Sequence, residues 1–171
     1  NTLGPPYVMF SAGHQEFADR RKDSVINIEA TGEFVFNMAT YALRDADVHT
    51  GQITDPEVDE LAAAGLTAAA SKLVKPPRVA ESPIQFECTH YDTIVLPDNL
   101  SGTRNYVVIG RAVGIHIADE VLTAEGRVDL TKIKPLARLG YNDYSYVDHV
   151  FEIAAHGDLP GPRKERIGNQ P

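Results

Sequence analysis

Only one of the 171 residues, Cys88, is a cysteine, so no disulfide can close within the chain and a zinc site built from several thiolates is excluded. A lone thiol suits a reducing compartment, and a cytoplasmic protein is expected. No uninterrupted apolar run approaches the roughly 18 residues of a membrane-spanning helix, and the opening residues do not read as a charged-then-apolar leader. Neither a membrane span nor a signal peptide is therefore expected. Positive charge is in the minority: 16 Lys and Arg against 24 Asp and Glu leave a net charge of −8. That balance disfavours nonspecific attraction to nucleic acid or an anionic membrane, and neither is expected as a partner. Gly110 and Gly114 fall in a strand-like run with the wrong spacing and context for a dinucleotide fingerprint. No serine sits in a Gly-x-Ser-x-Gly elbow, so hydrolase chemistry has no support. No internal repeat is visible, and the length favours one domain.

Against these absences, one stretch concentrates charge. Arg20-Arg21-Lys22 runs into Asp23-Ser24-Val25-Ile26-Asn27-Ile28. Asp23 or Ser24 can cap a helix there, Val25, Ile26 and Ile28 supply an apolar face, and Thr31-Gly32 supplies the stop. The first turn of such a helix has unpaired N–H groups and the positive end of the dipole, so cations beside it make a site for phosphate or another anion. Local chemistry leaves two readings open, this anion site and a solvated basic turn, the second being the commoner fate of a charge run. From Glu33 to Met38 the pattern alternates, with Phe34, Phe36 and Met38 on one face and Glu33, Val35 and Asn37 on the other, which predicts a strand.

The remaining chain predicts short elements in series. Tyr7 to Ser11 reads as a strand that leaves through the small-residue turn Ser11-Ala12-Gly13-His14. Thr40 caps a helix to Val48, and Asp55-Pro56-Glu57 starts another that runs to Ala64 and stops at Gly65. The acids Glu57, Asp59 and Glu60 complement that helix dipole and are assigned no chemistry. Residues 67 to 81 are irregular, stiffened by Lys75-Pro76-Pro77-Arg78, and are expected to lie across a partner subunit. Ile84 to Tyr91 alternates, with Cys88 as a small buried hydrophobe and Glu87 on the opposite face. Cys88-x-His90 offers too few ligands for a metal. Residues 96 to 104 read as a hairpin loop, and Tyr106 to Ile117 as a long strand in which Gly110 and Gly114 mark bends or close approaches. His116 is read as a satisfied structural histidine. A short helix from Asp129 ends at Pro135, an aromatic loop spans 138 to 146, a last strand covers His149 to Ala155, and a Pro- and Gly-rich tail begins at Gly157. The fold class is mainly β with short helices, antiparallel and closing as a small barrel, with residues 1–156 as the domain and 157–171 as the tail.

Arg21-Lys22-Asp23-Ser24 with Asn27 three residues on, then Phe34-Val35-Phe36-Asn37, resembles the signature of the flavin reductase-like proteins with an FMN-binding split barrel. Ser24 stands where that family often has Thr. The resemblance extends through Pro5-Pro6-Tyr7-Val8-Met9-Phe10-Ser11, Glu81 to Cys88, Gly114-Ile115-His116-Ile117, and Pro135 to Gly140 leading to Tyr144. It rests on the order and spacing of these pieces. It implies an antiparallel split β-barrel, FMN as cofactor, hydride taken from NAD(P)H, and a homodimer that builds its site from two chains. By the same resemblance, Arg21, Lys22 and Ser24 would hold the phosphate with Arg20 as an outer cation, Ser11 and Asn37 would approach the ring, and Tyr144 would lie near ligand or partner. No catalytic side chain is expected, because a flavin carries the electrons itself. A non-enzymatic FMN-binding carrier is the alternative, and an interaction protein that has lost flavin is a third reading. The family has a pair of strands ahead of Tyr7 that this sequence does not show, so the chain is expected to be either a fragment or a member without them.

Overall fold

In chain order the structure, a computed structural model that describes residues 4–15, 20–97, 104–153 and 165–167, begins with β1 (Tyr7–Gln15), β2 (Arg20–Arg21), α1 (Asp23–Thr31) and β3 (Glu33–Asn37). A 3₁₀ turn at Tyr41–Leu43 leads into α2 (Arg44–Thr50), followed by α3 (Glu60–Ala63), β4 (Ala68–Ala69) and β5 (Arg78–Val79). The long strands β6 (Ile84–Pro97) and β7 (Arg104–Ile117) come next, then α4 (Leu130–Ile133), β8 (Leu136–Gly140), β9 (Asp143–Tyr146), β10 (His149–Phe151) and β11 (Glu165–Ile167). The main sheet has five strands in the order β2-β1-β7-β6-β3, every pair antiparallel. Two-stranded ribbons β4-β5, β8-β9 and β10-β11 surround it. The chain is mainly β with short helices, as its alternating runs predict.

The core forms where α1 closes one face of the sheet. Val25 and Ile28 of α1 meet Ala12, Phe34, Cys88, Tyr106, Val108 and Ala112, all buried. Burial pushes the Cys88 thiol up to about 11, so it stays neutral and behaves as the small hydrophobe its pattern predicts. Gly110 is required by this packing: a Cβ there would lie 2.3 Å from the Phe34 ring. A second cluster, Ile84, Val121 and Ile133, closes the other end.

Several elements differ from their local sequence signals. β1 does not turn at Ser11 but continues to Gln15, because Ser11, Ala12 and Gly13 pair with Val107, Tyr106 and Asn105 of β7. Neither Asp23 nor Ser24 caps α1. Lys22 occupies the N-cap position with no side-chain cap bond, and Asp23 is held by Arg20 instead. The Asp55-Pro56 start yields only a turn, and α3 begins at Glu60 because Asp59 accepts from Ala62 N–H at 3.1 Å and caps it there. The aromatic stretch after Pro135 is the β8–β9 hairpin, turned by Gly140 and Tyr141 at positive φ. The expected hairpin loop lies outside the described residues from 98 to 103, as does most of the tail, whose Glu165–Ile167 pairs with β10.

β6 carries two register shifts against β7, at Glu87/Cys88 and His90/Asp92. Bulges of this kind bend a strand and re-aim its side chains. Neighbours Glu87 and Cys88 are both fully buried. One is covered by the core and the other by residues 67–81, which fold back over the outer face of β3 and β6.

Candidate functional site

The cationic turn is fixed from two sides. β2 pairs with the end of β1, while α1 is seated by Val25 and Ile28 and stopped by Gly32 at φ 73°, whose N–H bonds to Ile28 O at 2.8 Å. A hydrophobic seat at both turns leaves the helix start at the sheet margin. The three cations there meet different fates. Arg20 donates to both Asp23 carboxylate oxygens at 2.9 and 3.1 Å and to Thr54 O at 3.2 Å. Arg21 lies 2.5 Å from Glu29 Oε2 and stacks 4.8 Å from the Tyr106 ring centroid. The Arg21 hydrogen bond is the main reason the Glu29 carboxyl sits below its ordinary range. Lys22 makes no ion pair with the described residues. It lines a depression of about 580 Å³ together with Asp47, Gln52, Arg138 and Tyr144.

On the other side of the same turn lies a larger groove of about 780 Å³. Met9 and Phe10 of β1, Ser24 and Asn27 of α1, Phe36 and Asn37 of β3, Phe86 of β6 and the Pro76-Pro77 pair form its walls. Its lining is chiefly apolar, with a polar margin along α1. The two depressions are lined by neighbouring residues at the exit of β3, Met38 for the groove and Ala39 for the cationic pocket. Both volumes fall in the range of roughly 300–1,000 Å³ typical of small-molecule sites. Together they suit a ligand with a planar apolar body and an anionic end.

The structure thus divides the residues singled out in the sequence. Ser24 and Asn37 line the groove; Lys22 and Tyr144 line the cationic pocket. Ser11 is exposed on β1 opposite Val107 and lines neither. Arg20 is held by Asp23 and Thr54, and Arg21 is ion-paired with Glu29 while its buried Nε has no hydrogen-bond partner among the described residues. Asn37 also holds the chain together, since its Oδ1 accepts from Val79 N–H at 2.9 Å. Arg138 was given no role in the sequence. The β8–β9 hairpin brings it to Lys22, with its guanidinium 6.0 Å from the Tyr144 ring centroid.

A second polar constellation lies behind the groove. Glu87 is fully buried, and its carboxylate accepts from Lys72 N–H at 2.9 Å, Leu73 N–H at 2.5 Å and Val74 N–H at 3.2 Å. His116 Nε2 lies 2.6 Å from Glu87 Oε1. Burial opposes ionisation most strongly, but the Lys72 and Leu73 amides and His116 outweigh it and hold the carboxyl down at about 2. His116 is therefore a satisfied histidine, as expected, with a fully buried acid as its partner. Residues 67–81, expected to lie across a partner, are fastened to their own chain: Glu33 takes Lys75 N–H at 2.9 Å, and Glu81 takes Thr67 N–H at 3.0 Å.

Residues 2–148 match the family model described as flavin reductase like domain. An uncharacterised protein of Aquifex aeolicus is 35% identical over 140 residues, which cover 82% of this chain and 68% of that one. Among solved structures, component B of nitrilotriacetate monooxygenase from Bacillus cereus superposes with a TM-score of 0.80 at 28% identity, over 90% of this chain and 74% of that one. A Shewanella frigidimarina protein provisionally described as a flavin reductase with a split barrel domain gives a TM-score of 0.73 at 22% identity, over 94% and 73% of the two chains. The fold is that split barrel, with its sheet left open among the described residues.

Proposed function

The chain belongs to the flavin reductase-like family, and from that membership and the paired depressions at the start of α1 we propose that it binds FMN and transfers hydride from NAD(P)H to flavin. The observation that carries this reading is Lys22: an ammonium without an ion-pair partner among the described residues, at the N-cap of α1, sharing a pocket with Arg138 and Tyr144 and adjoining an apolar groove. The residues fit the group. A phosphate monoester is a dianion, suited to two cations beside the positive end of a helix dipole. The groove has apolar walls for a planar ring system, and Ser24 and Asn27 on its α1 margin offer polar atoms to the ring edge.

A bound flavin supplies the hydride and electron chemistry, so the protein needs neither nucleophile nor metal for it. Lys22 and Arg138 bind and orient the anionic end. Phe36, Phe86 and Met9 exclude water from the ring. In this reading Arg20 and Arg21 act one step back, fixing the turn that presents Lys22. The lone thiol agrees with a reducing, cytoplasmic setting.

Lys22→Ala tests the assignment. One charge-assisted hydrogen bond contributes about 1.5–3 kcal/mol, so FMN affinity should fall roughly tenfold to a hundredfold. Riboflavin, which lacks the phosphate, should bind the variant as it binds the wild type. Fluorescence titration with both flavins decides it: equal losses, or none, would remove the phosphate site. Multiple turnovers of NADH or NADPH with free flavin distinguish a reductase from a non-enzymatic carrier.

We further propose a homodimer. Met9, Val95 and Ile115 are 68%, 53% and 53% exposed on the main sheet, and apolar surface of this kind is commonly covered by a partner. Light scattering at micromolar concentration should give twice the chain mass; a monodisperse monomer would refute the dimer.

A further inference from the structure

Pro76 and Pro77 form a wall of the apolar groove, yet a proline has no N–H with which to be fastened. Pro76 is held directly through its carbonyl, which accepts from Ser71 Oγ at 2.5 Å, and the rest of the placement comes from the residues on either side. On the upstream side four consecutive amides are taken by carboxylates: Lys72, Leu73 and Val74 by Glu87, and Lys75 by Glu33. On the downstream side Val79 N–H bonds to Asn37 Oδ1 at 2.9 Å. Glu87 is the centre of this arrangement because it is fully buried and its fourth donor, His116 Nε2, reaches it from β7 at 2.6 Å. Leu73 is seated against bare backbone, since a Cβ at Gly114 would lie 3.1 Å from Leu73 Cδ1. A carboxylate is suited to this duty, having acceptor sites only and room for about four donors.

We infer that Glu87 and His116 are positioning residues of the flavin site, which set the Pro76-Pro77 wall of the ring groove by holding the backbone of residues 72–74. This assignment rests on the flavin reading of that groove. Neither side chain lines the groove, so both act through the loop. A wall held in place before binding lowers the ordering cost of the ligand, whichever end the ligand carries. The predicted signature is therefore a loss shared by FMN and riboflavin, unlike the phosphate-selective loss of Lys22→Ala.

Two variants test it in the full chain. Glu87→Gln places an amide NH₂ among backbone donors, and His116→Ala removes one donor while leaving the carboxylate. For Glu87→Gln, amide hydrogen exchange at residues 72–74 should accelerate, and the dissociation constants of FMN and riboflavin should each rise about tenfold with their ratio unchanged. For His116→Ala both should rise by about threefold, again in parallel. Should Glu87→Gln fail to fold, His116→Ala carries the same two readouts. Faster exchange with both affinities at the wild-type value would overturn the assignment, as would a loss confined to FMN. Wild type that binds neither flavin would remove the flavin reading and this one with it. Wild type that binds both, with variants that bind equally well, would remove this one alone.

Discussion

The start of α1 and the segment from Thr67 to Glu81 present opposite uses of charge. At the helix start, cations gather at the surface, two are neutralised by neighbours, and Lys22 lines a pocket with no ion pair among the described residues. Along 67–81 the charges that matter are anions reaching out from the sheet, and their partners are backbone amides rather than side chains. In the first arrangement Lys22 is left without an ion pair among the described residues, so on the proposed flavin reading its removal should cost binding more than stability. The second has spent its energy within the fold, and removing a member should cost stability and shape.

The largest expected effect breaks the second arrangement with acid. Glu87 has a folded pKa of about 2 against an ordinary 4.5, so its ionised form is favoured by folding. Its stabilisation is fully present above pH 4.5 and is lost as pH falls through about 2. A displacement of this size corresponds to about 3 kcal/mol by proton linkage. Denaturant unfolding of wild type between pH 6 and 2 should show that loss superimposed on the ordinary acid effect, while Glu87→Gln should lack it. Parallel curves for the two proteins would contradict the clamp.

A smaller effect sharpens the contrast within the helix start. Arg20→Ala removes the Asp23 pairing and the bond to Thr54 O, groups that do not reach the cationic pocket. FMN affinity should change by less than about threefold in Arg20→Ala, against the ten- to hundredfold loss for Lys22→Ala. Similar losses for both variants would return Arg20 to the phosphate site.

An effect of similar size but opposite sign concerns Asp47, which lines the same pocket as Lys22 and whose carboxyl burial pushes above its usual range. A carboxylate opposes a bound phosphate, but an exposed pair is screened. Asp47→Asn should therefore tighten FMN by about twofold to threefold and leave riboflavin unaffected. Weaker FMN binding in this variant would show that Asp47 contributes to the site rather than opposing it.

Much of the helix start was legible because its signals are local. Gly32 marks the stop of α1 and the alternation from Glu33 marks β3, while of the expected apolar face Val25 and Ile28 are buried and Ile26 is exposed, because only the first two point at the sheet. The clamp was not legible, because alternation assigns a charged residue such as Glu87 to the solvent face. What reverses that assignment is a covering segment, and coverage is not a property of the strand that is covered. Asn37, expected to approach a flavin ring, lines the groove. No local pattern shows that Val79, 42 residues away, donates to its amide oxygen.

The sequence by itself determined the periodicities: antiparallel strands of period two, a short helix with a glycine stop, and a cationic run at that helix start. These follow from backbone sterics and side-chain spacing within a few residues. Only the tertiary structure decided which cation of the run has no ion pair among the described residues, that Arg138 joins it, and that Glu87 faces backbone amides instead of water. Ion pairing and desolvation depend on distances between groups remote in the chain, and those distances exist only once the strands have taken their register.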